Sequence, residues 1–533
     1  MDRQLLWQCL ESLGMHGECL STLKCMYDKV QLQVRLNGAL GSAFDSETGV
    51  KQGDPLSPLL FGLFIDKIES FLHDKYPTVG VLLLNKIVQV LLYADDLALM
   101  TTSANDMQLL LDGLNDFCKA SGMQVSIKKS ELVIFNSRLC SAQDLRTAHS
   151  LVYNGAPLAV KRSFIYLGII LSDELSATRM QHAFDAALRK ARYAAHLMFR
   201  RCHTMGLHNV SIHCHLLDSL VKPILNYGCE LWGPSIMTAR NITTDHDTER
   251  WHRSVLRQSL GVCNSTTTAV IMDELGRQPM CLAWLKLVLK FWNKIVMRDE
   301  GDLARMAMQE SLAMQTTGSW AVCLKTALCN LGCSVQIDSL DPVDVDMCIA
   351  EAYTKWHEAG ACDELNQVRG IPDNQRLDFK LIKYKKWFAP EAGHDAKKCF
   401  TYHLYRRNQV QVVAQFRMSA HWLNGEHMRV AADGRSLPRS RRICPCCNHQ
   451  AREDEMHVLE CPCYSDIRLR YRSLFHRNHG LTVWSLHIRN DARMCELMNG
   501  DGSYRFWNQL ANFLLACKKR RTQFVEGLNA ISS

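Results

Sequence analysis

Two groups of residues in this chain have the types and spacing to do chemistry. The first is Tyr93-Ala94-Asp95-Asp96, two adjacent carboxylates between the short apolar runs Ile87–Leu92 and Leu97–Met100. The pattern reads as a hairpin tip between two core strands. Adjacent aspartates in a buried hairpin are costly unless a cation or a basic group neutralises them. The pair is therefore a candidate metal site. Neighbouring side chains in a strand or tight turn point different ways, so Asp95 is the first candidate for direct ligation and Asp96 the second.

The second group is Cys444, Cys447, His457 and Cys461. Cys444-x-x-Cys447 puts two thiolates on one turn, and His457-x-x-x-Cys461 puts two ligands one helical turn apart. Four such ligands suit a closed tetrahedral zinc site, which supplies folding energy and leaves no open coordination position. Cys446, His449 and Cys463 are spare thiols and imidazole nearby, and Arg441, Arg442, Arg468, Arg470 and Arg472 suggest a nucleic-acid surface around them. His203, His208, His213, Cys214 and His215 are irregularly spaced with no paired Cys-x-x-Cys, so they are not read as a metal site.

The elements that must position these groups follow from periodicity. Leu5–Leu13 and Glu18–Tyr27 have helical spacing; Val30–Leu36 is strand-like, with a tight turn at Asn37-Gly38. The loop Gly49 to Pro58 is pinned by glycines and prolines. Ser57 is placed to cap a helix that opens at Pro58 and runs to about His73. A helix Asp106–Cys118 ends at Gly122, strands follow over Met123–Ile127 and Glu131–Phe135, and Phe164 to Ile169 forms another apolar hairpin. Helices are expected over Met180–Arg200, Leu216–Leu225, His252–Leu260, Ala283–Met297, Ala304–Met314 and Ser319–Leu328, with Trp284 and Trp292 in the core. Aromatic and basic residues interleave over Leu381–Trp387 (Lys383, Lys385, Lys386) and Tyr402–Trp422 (Arg406, Arg407). That pattern fits either single-stranded nucleic acid or an amphipathic helix. Tyr504–Cys517 reads as a helix ending in the basic run Lys518-Lys519-Arg520-Arg521.

Bulk properties set limits. At 533 residues, with 47% hydrophobic and 22% charged residues, the chain is expected to fold into several domains. A net charge of +8 allows a polyanion partner without demanding one. Its 23 cysteines are scattered, and no signal peptide opens the chain, so reduced thiols in an intracellular protein, nuclear or cytoplasmic, are expected. The apolar stretch Val79–Met100 carries Lys86, Gln89, Asp95 and Asp96, which argues for strands and against a membrane span.

With these motifs in order, the chain resembles the reverse transcriptases of non-long-terminal-repeat (LINE-type) retrotransposons. The matching residues are Gly49-Val50-Lys51-Gln52-Gly53-Asp54-Pro55-Leu56-Ser57-Pro58, Tyr93-Ala94-Asp95-Asp96, Gly122 to Ser130 and Phe164 to Gly168. Tyr227-Gly228-Cys229-Glu230-Leu231-Trp232, Glu274-Leu275-Gly276-Arg277-Gln278-Pro279 and the terminal cluster look like later stretches of the same elements. The resemblance implies an α+β fold: an incomplete right-hand polymerase palm over 1–172, a helical thumb-like region over 173–300 and a mainly helical connector over 301–438. A zinc-binding CCHC module over 439–475 and a helical basic tail over 476–533 complete it.

The same resemblance implies RNA-directed DNA polymerisation with two magnesium ions held by Asp95 and Asp96. Gln52 and Gly53 would pack against nucleotide and template, beside Tyr93 of the turn. Lys129, with Lys128 beside it, would lie near the pyrophosphate, and Phe164, Leu167 and Gly168 would grip the primer end. The implied partners are an RNA template, a DNA primer or target DNA, and deoxynucleoside triphosphates, with no membrane. Met1-Asp2-Arg3-Gln4-Leu5-Leu6-Trp7 looks like the segment just after the family's first aspartate. The chain is thus expected to be truncated at its N-terminus, lacking the fingers and first catalytic strand, with Asp2 out of register and free to cap the next helix. A catalytically inactive nucleic-acid-binding remnant is the alternative.

Overall fold

A computed structural model of the chain describes residues 1–137, 140–173, 180–264, 266–316, 318–368, 399–423, 442–447, 452–475, 494, 497–500 and 502–532. Leu381–Trp387, Arg439 to Arg441 and His449 lie outside them. The fold is mixed α+β and divides into two compact units: Met1–His182 with Arg298–Ser319, and Ala183–Met297 with Trp320–Ser533.

The first unit opens with helices Arg3–Ser12 and Gly17–Tyr27. Asp2 caps the first, its carboxylate accepting from the Gln4 and Leu5 amides at 2.7 and 3.4 Å. Leu6, Leu10, Leu20 and Tyr27 form one small core with Leu60 and Phe64. Strands Arg35–Leu36 and Ala39–Leu40 then pair across Asn37 and Gly38. Both turn residues have positive φ, 50° and 86°, as a two-residue hairpin requires.

The helix expected from Pro58 to His73 differs in detail. It is two segments, Ser57–Ile65 and Lys67–Lys75, and Ser57 is inside the first rather than its cap. Ser57 Oγ donates to the Lys51 carbonyl at 2.5 Å, while Asp54 takes the free Leu56 amide at 2.9 Å.

A second core joins Ile68, Leu72 and Val90 to Leu110, Leu114 and Phe117 of helix Ala104–Ser121. Ser103 caps that helix at 3.1 Å and Gly122, at φ 63°, stops it. Met123–Ile127 is not a strand. Its alternation is met by packing Met123, Val125 and Ile127 against the core without a ladder partner, and the chain enters a short 3-10 turn, Ile127–Lys129. The described strands pair two by two: Val90–Tyr93 with Asp96–Leu99, Ser163–Tyr166 with Ile169–Ser172, and Glu131–Val133 in parallel with Ala159–Lys161.

The second unit is helical. Phe184, Leu188, Ala191 and Ala195 of helix Gln181–Thr204 are buried at the expected spacing. Trp284 and Trp292 are fully buried, and Trp284 packs edge-on against Trp232, with ring centroids 5.1 Å apart. Each indole N–H has a partner, Asn226 at 3.0 Å and the Asp341 carbonyl at 2.8 Å. The helix expected over Leu216–Leu225 is interrupted by a π turn, Leu217–Val221, ahead of Lys222–Asn226. Pro223 has no N–H to continue the ladder there. The terminal helix spans Tyr504–Ser532 and does not end at the basic run. Among the described residues no helix is long and apolar enough to cross a membrane.

Candidate catalytic hairpin and zinc centre

The Gly49 to Pro58 loop is bolted down from one side. Arg3 donates from Nε to the Gly49 carbonyl at 3.0 Å and from Nη1 to the Tyr27 carbonyl at 3.1 Å. Lys51 reaches the Met26 carbonyl at 2.6 Å, and both cations lie about 5 Å from the Tyr27 ring. Gly53 sits at φ 85°, which a side chain rarely adopts, and an added Cβ would meet nothing. Gln52 and Gly53 are left exposed at the loop tip. Local spacing did not reveal Arg3 and Tyr27 as the anchors, because both act on the loop from the preceding helices.

At the hairpin, Tyr93 pairs with Asp96 across the turn and Ala94 holds φ 52°. This is an uncommon conformation for a residue with a Cβ, and it marks the turn as locally strained. Asp95 and Asp96 are exposed, so the desolvation cost expected for a buried pair does not arise. The strands beneath are only partly covered, with Tyr93 63% exposed. No basic side chain forms an ion pair with either aspartate among the described residues, so their oxygens remain available as acceptors.

The second hairpin turns at Leu167 and Gly168, with φ 47° and 80°. Phe164 is half-buried and stacks at 6.4 Å against both Phe135 and Tyr166. Burial, and then the Asp96 charge, push the Tyr166 hydroxyl above its ordinary range, so the two hairpins are electrostatic neighbours. Lys129 and Lys128 are exposed on the 3-10 turn, and neither pairs with Asp95 or Asp96.

The terminal cluster is closed. The ligand atoms of Cys444, Cys447, His457 and Cys461 all lie within 4.8 Å of one another. Cys444, His457 and Cys461 are buried, and Cys461 is fully so. Asp454 caps the short helix His457–Glu460 by accepting from the His457 amide at 3.1 Å. Four thiolate and imidazole donors gathered away from water suit a structural zinc ion. Cys463 is turned away, its thiol donating to the Cys446 carbonyl at 2.5 Å.

Several of the arginines around the cluster are spent on structure. Arg468 is buried and donates to the carbonyls of Val458 and Cys461 at 3.2 and 2.8 Å. Arg521 makes a two-pronged pair with buried Glu453 at 2.6 and 2.8 Å, and Arg520 does the same with exposed Asp466 at 3.1 and 2.8 Å. Half of the basic run thus clamps the terminal helix to the module. Arg470 and Arg472 stay exposed. In the Glu274 to Pro279 stretch, Glu274 is fully buried against Arg417 at 2.9 Å. Arg277 grips Asp218 at 2.7 and 2.8 Å.

The family model for reverse transcriptase (RNA-dependent DNA polymerase) matches residues 2–171. Over 124 residues, 23% of this chain, the sequence is 36% identical to a Pol polyprotein from the type-2 retrotransposable element R2DM of Drosophila melanogaster. It is 28% identical over 163 residues, 30% of the chain, to the type-1 element R2 polyprotein of Popillia japonica. It is 25% identical over 229 residues, 41% of the chain, to the RNA-directed DNA polymerase of the mobile element jockey of Drosophila funebris. These matches span 11%, 26% and 23% of the relatives' own lengths. Residues 2–171 are a reverse-transcriptase-like region of the non-long-terminal-repeat, LINE type, in a chain that also carries a C-terminal Cys/His cluster suited to zinc.

Proposed function

We propose that this chain is part of an RNA-directed DNA polymerase, with residues 1–172 acting as palm, 173–300 as thumb, 301–438 as connector and 439–475 as zinc module. The observation that carries the reading is the Tyr93 to Asp96 hairpin, with two unpaired carboxylates at its turn and the Phe164 to Gly168 hairpin beside it. Hard carboxylate oxygens suit magnesium, which is commonly bound through one or two carboxylates plus substrate phosphates. Bound there, magnesium would neutralise phosphate charge and activate the attacking oxygen. Asp95 and Asp96 would hold the ions, and Tyr93 would support the turn. Gln52 and Gly53 would face template and nucleotide, Lys129 would meet the phosphates, and Phe164, Leu167 and Gly168 would seat the primer end.

A second reading has its own support. Among the described residues, the group of three or more metal-ligating side chains is the cysteine/histidine cluster, and no third carboxylate joins Asp95 and Asp96. Asp2 is occupied as a helix cap. A two-metal site short of one carboxylate would bind nucleic acid without extending it.

Primer extension on an RNA template with magnesium tests both, run on this chain and on a version extended upstream in its reading frame, each with Asp95→Asn. Extension abolished by Asp95→Asn supports the polymerase. Primer–template binding by this chain with no extension in either version supports the binding remnant. Extension that Asp95→Asn leaves intact would sink the assignment of the hairpin.

A further inference from the structure

Three of the irregularly spaced histidines not read as a metal site, His203, His208 and His213, line a cleft of about 370 Å³ in the second unit together with His196. His196, Arg200 and His203 come from helix Gln181–Thr204, His208 from the loop after it, His213 from helix Val210–Leu216, and Arg407 from the start of helix Arg407–Arg417. The walls also include Cys202 and uncharged Gln258 and Ser259 from helix Asp247–Leu260, and among the described residues no carboxylate. A concave surface with two permanent cations, four imidazoles and no acid is built for negative charge.

The cleft is also held in shape. Asn209 donates to the Tyr402 and Leu404 carbonyls at 3.1 and 3.0 Å and accepts from the Ile212 amide at 3.1 Å. This single buried side chain ties the histidine loop to the segment that leads into Arg407. The polarity is graded: Arg200, His196, His203 and Arg407 are exposed at the rim, His208 is half-buried and His213 is 7% exposed.

His213 supplies the second observation. Its Nε2 lies 2.8 Å from the Leu207 carbonyl and must donate to it. Its Nδ1 is buried with no partner. Neutral His213 therefore carries an idle lone pair, and protonated His213 would carry an idle N–H donor. A buried polar atom left idle costs free energy unless a ligand or water uses it.

We propose that this cleft is an oxyanion site that takes a phosphate group, as carried by a nucleotide or a polynucleotide, and that it binds more tightly as the pH falls. Arg200 and Arg407 provide the constant attraction. Burial first, then Arg407 and His203, depress His208; burial depresses His213 against the opposing Leu207 hydrogen bond, with His208 and Arg407 adding to it, so both favour the neutral form without a ligand. An anion favours their protonated forms. Binding then gains positive charge from both imidazoles as the pH drops below the ordinary histidine range, and it loses that charge as the pH rises.

The test is calorimetric titration of the full chain with sodium sulfate at constant ionic strength, at about pH 5.5 and about pH 7.5. Sulfate keeps its charge over that range, so any pH dependence belongs to the protein. Saturable binding is expected, about tenfold tighter at the lower pH, with a further loss of about tenfold or more in the Arg200→Gln/Arg407→Gln variant. Both arginines are exposed, so their replacement should leave the melting temperature unchanged. His208→Gln should flatten the pH profile. Absence of saturable binding, a double arginine variant that binds like the parent, or an unchanged profile in His208→Gln would each overturn the proposal. Competition against sulfate then separates the sources. A nucleoside monophosphate, a 5′-phosphorylated oligonucleotide or a 5′-hydroxyl oligonucleotide would mark a free, terminal or backbone phosphate respectively. Failure of all three to compete would overturn phosphate as the ligand.

Discussion

The Tyr93 to Asp96 hairpin and the Cys444 to Cys461 cluster are both short, chemistry-bearing motifs, yet they are built in opposite ways. The cluster brings all four ligand atoms within 4.8 Å and buries them, and the terminal helix clamps it through Arg520 and Arg521. The hairpin holds its carboxylates in solvent on two strands that pair with each other, and the surrounding functional groups come from separate loops. One motif carries its whole site within eighteen residues. On the proposed reading, the other carries a fragment of a site that needs distant chain to complete it. A structural centre must be self-sufficient because its ligand contacts are folding energy, whereas a polymerase centre must stay open to substrate.

That contrast can be pushed hardest at the cluster. Cys447→Ser with Cys461→Ser, or chelation of the native chain, should unfold the module, since zinc contributes on the order of 10 kcal/mol in such sites. Hydrogen exchange over residues 442–475 should rise to that of free peptide; continued protection would show that the clamp alone holds it.

The clamp itself has an asymmetric prediction. Glu453 is 1% exposed, so Arg521→Ala removes a two-pronged partner of a buried charge and should cost about 3–5 kcal/mol in denaturant titration. Arg520→Ala breaks a pair with a half-exposed Asp466 and should cost about 1 kcal/mol or less. Equal effects would mean that burial does not separate the two contacts.

Asp95→Asn makes the opposite demand on the hairpin. With the side chain exposed and unpaired, stability should move by about 0.5 kcal/mol or less, while magnesium-dependent primer extension disappears in any form of the protein that extends primers. A large loss of stability would show that the carboxylate is structural. The smallest effect is expected at the turn. Ala94→Gly relieves a left-handed conformation and should stabilise the chain by up to about 1 kcal/mol after the entropy cost of glycine, read as a small rise in melting temperature.

Legibility in the sequence followed the distance over which each decision is made. Asn37-Gly38 and Gly122 mark a turn and a helix end through backbone preferences of one or two residues, and both act as their types dictate. Met123–Ile127 misled because alternation reports a surface that is covered every second residue, and packing on helix Ala104–Ser121 covers it as well as a neighbouring strand would. Ser57 misled because the helix opens one residue earlier than the proline implies, so Ser57 is its first residue, with its hydroxyl turned back onto the Lys51 carbonyl. The structural role of Arg520 and Arg521 in the basic run was not legible because their carboxylate partners lie 54 and 68 residues away.

By itself, then, the sequence determined the reverse-transcriptase-like order of motifs, the α+β composition and the zinc ligand set, since spacing within a turn of helix or a hairpin is a local property. Tertiary structure alone decided which charges are used up and which are free. Glu274 meets Arg417 across 143 residues, while Asp95 and Asp96 stand open to solvent. It also decided that scattered histidines at positions 196 to 213 share a cleft with Arg407. The physical reason is that burial and electrostatics depend on what the folded chain brings alongside, and no local pattern records that.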